Sequence, residues 1–331
     1  MIPLKKHPLK ATGRSLAVLV TAASAATYTV LALAVPEARA GAPPSTSCSD
    51  STDSMYTACF LGSGDDFFVN TAKCQNVSEG PDRKACEAEK RKTYKDDLKL
   101  CSTQKADRQD VCRDLGQAPY DPQIVPANYV DPLQIGTSVT PNPFLIIKPG
   151  YTRVYKSPSQ IITITVTHDT VEILGVTCIV SRDTVTDLHG NLIEDTVDYF
   201  AQDLSGNVWY FGETTGEYEG GFPVSLEGTF KGGADRAKPG IAMLAVLPPG
   251  KLYREEFALG VAEDLAEVIS TSASEAAPAA SCRRTCLLTD NFTPIKPGGS
   301  EKKYYAPGIG EIVAFPEDDP SNREVLVVYH N

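Results

Sequence analysis

The chain has 331 residues, with 31 Lys+Arg set against 42 Asp+Glu, for a formal net charge of −11. Nucleic acid and anionic lipid both demand a basic surface, so this balance argues against either as a partner. Nine cysteines become informative once the N-terminus is read.

Residues 1–40 have the plan of a secretory signal. Lys5, Lys6, Lys10 and Arg14 give a positive start, Ser15 to Pro36 is mostly apolar, and Ala38-Arg39-Ala40 is a small-x-small cleavage site. Cleavage there leaves Gly41 first, 291 residues, and a net charge of −15. Retention of the apolar run as a membrane anchor is the rival reading, since it approaches the ~18 residues that span a bilayer. No second run does so. Export to the periplasm or medium allows disulfides, and six cysteines crowd between Cys48 and Cys112 while Cys178, Cys282 and Cys286 lie beyond. The division implies a domain boundary, with a Cys-rich α-hairpin over 41–117.

Gly41 to Ser54 is rich in Ser, Thr, Pro and Asp, and its start is expected to be disordered. Asp65–Cys74 is a weak helix candidate. Asp82–Asp114 is a strong one: 18 of its 33 residues are charged, Pro81 precedes it, Gly116 follows it, and Glu87 and Arg91 stand four apart. The six cysteines lie at 48, 59, 74, 86, 101 and 112, with palindromic gaps of 11, 15, 12, 15 and 11. Pairing outermost with outermost gives Cys48–Cys112, Cys59–Cys101 and Cys74–Cys86. Residues facing each other in two antiparallel helices keep a constant sum of numbers, and steps of 11 and 15 turn a helix by roughly 20° and 60° beyond whole turns. The centre of the ladder is Gly80, followed by Pro81. One feature opposes it: Gly62-Ser63-Gly64 should interrupt the first arm.

Ala118 to Gly150 holds seven prolines and reads as an extended linker over 118–150 whose Tyr120, Ile124, Val125, Tyr129, Val130 and Leu133 lie along a domain surface. From Tyr151 the pattern is β to the C-terminus (151–331). Ile162, Ile164 and Val166 alternate with Thr163, Thr165 and Thr167. Leu192 to Glu213 reads as a β-hairpin turning through Leu204-Ser205-Gly206-Asn207. Val197, Tyr199, Trp209 (the only Trp) and Phe211 are its expected buried face. Gly232 to Gly250 is a Gly/Pro-rich excursion. Further strands are expected over Tyr253–Ala258, around Val268, and over Leu287–Thr293, Lys303–Tyr305, Gly310–Phe315 and Glu324–Tyr329, with a short helix over Val261–Val268 as an alternative. Serial antiparallel strands imply a large half-barrel or barrel, so the fold class is α+β.

Four blocks carry a resemblance: Phe144–Ser157 (FLIIKPGYTRVYKS), Asp195–Glu213 (DTVDYFAQDLSGNVWYFGE), Ala237–Ile241 (AKPGI) and Tyr304–Gly310 (YYAPGIG). Over about residues 140–315 the chain resembles a group of bacterial exported proteins with no assigned activity. The opening Pro-Gly-Tyr strand and the closing block are also similar to exported half-barrels of the lipoprotein-localisation-factor kind. That similarity implies a concave sheet able to hold an apolar ligand, and it transfers no catalytic residue.

Catalytic and metal signatures are sparse. His168, His189 and His330 have no Gly-x-Ser-x-Gly partner motif, and no His-Glu-x-x-His or paired Cys-x-x-Cys occurs. Cys178, Cys282 and Cys286 are expected to give one disulfide and a spare thiol; Cys178 and Cys286 are bridge candidates, with the pairing open. Asp183, Asp187, Asn191, Glu194, Asp195, Asp198, Asp203 and Asn207 crowd one stretch and suit Ca²⁺, although Asp and Asn are also the ordinary turn residues there. Asn76-Val77-Ser78 and Asn291-Phe292-Thr293 are sequons that matter only in a eukaryotic source. Three functions remain open: a non-catalytic exported module for a small apolar or amphipathic ligand, a hydrolase using carboxylates of the 183–203 meander, and an envelope protein that docks through an arm, the α-hairpin or the β-hairpin.

Overall fold

A computed structural model describes residues 45–77 and 79–330. The expected export segment lies outside them, as do residues 41–44 of the expected disordered start and Ser78 of the first sequon. Helix α1 (Ser47–Gln75) and helix α2 (Pro81–Leu115) form the hairpin, turning at Gly80 with φ 113° and Pro81 at the first helical position. Disulfides join Cys48 to Cys112, Cys59 to Cys101 and Cys74 to Cys86, each with Cα atoms 5.6–5.7 Å apart. Helix α1 runs straight through Gly62-Ser63-Gly64. Ser63 is buried, donates to the Cys59 carbonyl at 2.9 Å and lies 3.6 Å from Cys101 Sγ. Cross-linking and close approach outweigh the propensity cost of two glycines, about 1 kcal/mol each.

The strands, in order, are β1 (Thr152–Lys156), β2 (Gln160–Ile173), β3 (Val176–Asp187), β4 (Leu192–Gln202), β5 (Val208–Glu219), β6 (Phe222–Ser225), β7 (Phe230–Lys231), β8 (Lys238–Met243), β9 (Leu252–Arg254), β10 (Glu256–Phe257), β11 (Leu265–Ala276), β12 (Ser281–Phe292), β13 (Ser300–Ala306), β14 (Gly310–Pro316) and β15 (Glu324–His330). Neighbours run β10-β8-β5-β4-β3-β2-β1-β15-β14-β13-β12-β11-β9, with β6 and β7 also on β5. The two ends of that path, β9 and β10, are separated in the chain by Glu255 alone. The sheet therefore curls round until its edges meet, a nearly closed antiparallel barrel. The 232–250 excursion contributes β8, and 261–268 forms no helix.

Gly240 on β8 is what permits the meeting. A Cβ there would fall on the Glu255 carbonyl and the Glu256 nitrogen. Two hairpin turns repeat one device on either side of β4. In Asp187-Leu-His-Gly-Asn191, the aspartate accepts from the N–H groups two and four residues on, both at 2.8 Å, and from the Asn191 amide at 2.6 Å. Asp203-Leu-Ser-Gly-Asn207 does the same at 2.9, 2.9 and 2.7 Å, with φ of 89° at both Gly190 and Gly206.

The strap is not confined to the surface. Ile135, Ile146 and Ile147 are buried in the main core with Val166, Val208, Met243 and Leu287. Asn142 pins it there: its amide donates to the carbonyls of Gly206 and Leu244, its carbonyl accepts from the N–H groups of Phe144 and Leu145, and its own N–H meets Gln202 Oε1 at 2.9 Å. The expected buried face of β4 and β5 is likewise corrected. Val197, Tyr199 and Trp209 are half-buried, and only Phe211 is buried. These side chains point out of the barrel, where Tyr129 of the strap meets the rings of Trp209 and Phe211 at 6.2 and 5.6 Å.

The hairpin is docked on the barrel by Arg108, whose Nε and Nη2 both donate to Glu263 at 2.8 Å, with both side chains almost fully buried. Hairpin, strap and barrel form one compact unit, Pro44–Asn331.

Gly240→Ala should lower the urea midpoint by an amount equivalent to roughly 1–3 kcal/mol, because the added methyl overpacks the closing seam; an unchanged midpoint would show that closure does not depend on this contact. Non-reducing digestion and mass spectrometry should recover the three nested links, and a Cys48–Cys59 peptide would break the ladder.

Candidate functional site: an acidic chamber in the barrel

The alternation that sends Val197 and Tyr199 outward sends Asp198 and Phe200 inward. They line a chamber of about 340 Å³ with Arg153 and Tyr155 of β1, Ile164 and Val166 of β2, Ser181 and Asp183 of β3, and Lys303 and Tyr305 of β13. Each pair is two residues apart, as the pleat requires. Two irregularities add carboxyls. On β5, Tyr199 pairs with Gly212 and Phe200 with Tyr210, so Phe211 is an extra residue. This bulge lets Tyr210 and Glu213, three apart, face the same side. At the closing corner, Glu255 and Glu256 both direct their N–H to the Asp264 carbonyl, at 2.8 and 3.4 Å. Both side chains line the chamber, as do Asp264 and Glu311.

The lining therefore holds seven carboxyl groups (Asp183, Asp198, Glu213, Glu255, Glu256, Asp264 and Glu311) against two cations, Arg153 and Lys303. One wall differs: Leu145, Ile147, Val166, Phe200, Ala242 and Met243 belong to the main apolar core.

Burial dominates the acid–base chemistry. It pushes Asp198 up to about 6, Glu213 to about 7 and Glu255 to about 7. Asp183 is held well above its ordinary value, first by burial and then by the charges of Asp198 and Glu194. Glu256 is raised well above its own by burial, with Asp264 beside it also raised. Lys303 is held well above the usual lysine range by Glu301 and Glu311. The Tyr210 oxygen lies 2.6 Å from Asp198 Oδ1 and 2.8 Å from Glu213 Oε2. A phenol has one proton to donate, so the second contact is satisfied when one carboxyl is protonated and donates to the phenol oxygen. Phe200 stacks on Tyr210 at 4.8 Å and holds the ring. Two buried polar atoms in the lining residues have no hydrogen-bond partner: Arg153 Nε and Asp183 Oδ1.

The acidic stretch weighed for Ca²⁺ is split by the fold. Asp187 with Asn191, and Asp203 with Asn207, are spent on the two turns. Asp195 pairs with Arg182 at 2.6 Å, and Glu194 accepts from Thr196 at 2.8 Å. Only Asp183 and Asp198 line the chamber. Among the described residues no group of three or more His, Cys, Asp or Glu is placed to hold a metal ion. None of His168, His189 and His330 lines the chamber.

The distal cysteines also need correction. The bridge joins Cys282 to Cys286, with Cα atoms 5.3 Å apart, and Cys178 is a free, buried thiol. Cys178 sits on β3 and Cys286 on β12, six places apart in the sheet. Arg284, with φ 58°, kinks β12 so that its two cysteines meet. Burial raises the Cys178 thiol to about 12, so it is unreactive at neutral pH.

Arg153, Tyr210, Glu213, Glu255, Glu256, Asp264, Lys303 and Glu311 carried no motif. The signal for some of them was parity: Arg153 shares one face of β1 with Tyr155, and Lys303 one face of β13 with Tyr305. The bulge at Phe211 hid that signal on β5, and the corner at Glu255 hid it between β9 and β10.

No protein-family model matches the chain, and no curated protein matches it. Two crystal structures show some likeness. One is a protein described as exported, with a YMCC-like fold, from Bacteroides fragilis: 17% identity, 58% of this chain and 98% of that one, TM-score 0.34. The other is described as a lipoprotein, from Parabacteroides distasonis: 10% identity, 58% of this chain and 100% of that one, TM-score 0.32. No helix among the described residues is long and apolar enough to cross a membrane.

The pH dependence of stability follows from the raised carboxyls. Folded chain binds protons here that unfolded chain releases, so their contribution is fullest below about pH 4 and is lost as pH rises through 6 to 7. The ligand-free protein should have a higher urea midpoint at pH 5.5 than at pH 8, by a few kcal/mol, and Glu213→Gln should reduce the difference. A midpoint that climbs towards pH 8 would contradict the assignment.

Proposed function

We propose that the protein is an exported, non-catalytic binding module whose barrel takes a small amphipathic cation, an amine with an apolar body. The observation that carries this reading is the chamber's surplus of seven carboxyls over two cations beside an apolar wall. The sequence favoured an apolar or amphipathic ligand. A purely apolar one would leave the carboxyls desolvated and unpaired, at a cost of several kcal/mol. An ammonium group set against Asp183 and Asp198 offsets that cost, and an alkyl or aryl body fits against Ile147, Phe200 and Met243. The volume of about 340 Å³ lies within the range of small-ligand pockets. Four disulfides and the leading segment support a location outside the cytoplasm.

The test is displacement of a fluorescent dansyl-alkylamine. Saturable binding is expected at pH 8, displaced by hexylamine but not by hexanol or hexanoate. It should weaken at pH 5, where Asp198 and Glu213 are protonated. Asp183→Asn should cost roughly tenfold in affinity, about 1.4 kcal/mol. Equal competition by hexanol and hexylamine would reject the cation.

One observation favours a second reading, a hydrolase. Asp198 and Glu213, at about 6 and about 7, share Tyr210 and are poised for proton transfer near neutrality. Turnover of a glycoside or ester panel, abolished by Asp198→Asn, would replace the binding reading.

A further inference from the structure

The seam between the hairpin and the barrel holds a feature that docking does not explain. Arg254 on β9 is 9% exposed. Its side chain makes no hydrogen bond or ion pair among the described residues. Its guanidinium lies over the ring of Phe257 at 4.6 Å and that of Tyr120 at 5.7 Å. These rings are themselves edge to face at 5.3 Å, and the Tyr120 hydroxyl is spent on the Pro239 carbonyl at 3.0 Å. Ring faces hold a cation but leave its in-plane N–H groups open. Arg254 lines a pocket of about 180 Å³ whose other walls include Val111, Pro119, Leu259 and the Cys48–Cys112 bridge.

The acid that lines this pocket, Glu263, is bonded elsewhere. Glu263 accepts two bonds from Arg108 and a third from the Gly260 N–H at 2.7 Å. With the Arg108–Glu263 charges cancelling, Arg254 leaves one uncompensated positive charge in a largely apolar pocket. Burial pushes its guanidinium down from its ordinary value, and the nearby Glu263 charge offsets that only in part.

We propose that this seam is a second binding site, for a small monocarboxylate with an apolar body, its carboxylate bound by Arg254 and its body lying against Val111, Pro119 and Leu259. A planar guanidinium matches a carboxylate with two parallel N–H···O bonds. Phosphate suits the pocket less well. Of the hydroxyls that line it, those of Ser51 and Thr52 already donate to the Cys48 carbonyl, at 2.9 and 3.0 Å, which leaves that of Ser47 and gives a dianion few donors. The site is independent of the chamber: it takes an anion, and none of the chamber carboxyls lines it.

Calorimetric titration of the full mature chain with benzoate, hexanoate, benzamide and inorganic phosphate tests the site. Benzoate and hexanoate should bind saturably, one per chain. Benzamide, equal in shape but uncharged, and phosphate should bind at least tenfold more weakly. Arg254→Gln should abolish benzoate binding while dansyl-alkylamine binding in the chamber is retained, which shows that the variant is folded; should the variant fail to fold, the benzoate-to-benzamide ratio on the wild-type chain still decides. Absence of carboxylate binding, or equal binding of benzoate and benzamide, overturns the proposal. Phosphate binding as tightly as benzoate also overturns it, in favour of a general anion site.

Discussion

A curled sheet has an inside only if its edges meet, and here the seam where they meet includes one very close backbone approach. Gly240 of β8 lies against the Glu255–Glu256 corner so closely that no side chain fits between them. The two ends of the strand order are separated by one residue in the chain, so closure needs no partner and no long loop. Everything that distinguishes this interior follows from it. The same corner is bulged, which sends two glutamates inward, and the strand leading into it places Arg254 outside, under the helical hairpin.

A barrel interior can be filled with hydrocarbon, and the strap does fill part of this one with Ile135, Ile146 and Ile147. The remainder is left ionic. Gathering seven carboxyls beside two cations is unfavourable for folding, and the raised proton affinities of Asp183, Asp198, Glu213 and Glu255 are the same cost expressed as proton uptake. Such a cost persists where a later event offsets it, and a positively charged ligand is the simplest such event. Two of the four buried side-chain polar atoms without partners among the described residues, on Arg153 and Asp183, belong to residues lining this space, where the ladder hydrogen bonds cannot reach them.

The helical hairpin was legible in the cysteine spacing because three cross-links and a shared axis overdetermine it. The barrel was legible as a class, since period-two alternation and turn residues report local conformation. Which face is the inside was not legible. Around Tyr199 and Trp209 the outward side chains are as apolar as inward ones, because Tyr129 and Ile124 of the strap cover them. Aromatic content therefore pointed to the wrong side of β4. The inward side carried Asp198, which in isolation resembles a solvent-facing residue. Cys178 and Cys286 could not be assigned without the strand order that separates them, and the helix through Gly62-Ser63-Gly64 is decided by cross-links that propensity does not register.

The hairpin owes little to burial. Among the described residues of its two helices, those buried are Thr52, Ser63, Cys74, Cys101, Arg108, Val111 and Cys112, and only one is aliphatic. Bridges worth roughly 2–4 kcal/mol each, less when nested, do the work that a core would do elsewhere. A rod braced in this way has no need of the barrel for its own shape. Yet it is fixed to the barrel by a bidentate, almost fully buried Arg108–Glu263 pair, an interaction that contributes geometry more than stability. What that geometry achieves is to set the Cys48–Cys112 end of the rod over Arg254 and the Tyr120–Phe257 rings. The charge pair engages the Glu263 oxygens, the cross-link walls the pocket, and the arginine is left stacked on rings without a hydrogen-bonded partner. Structure that would be redundant for folding is thus accounted for by the pocket it encloses.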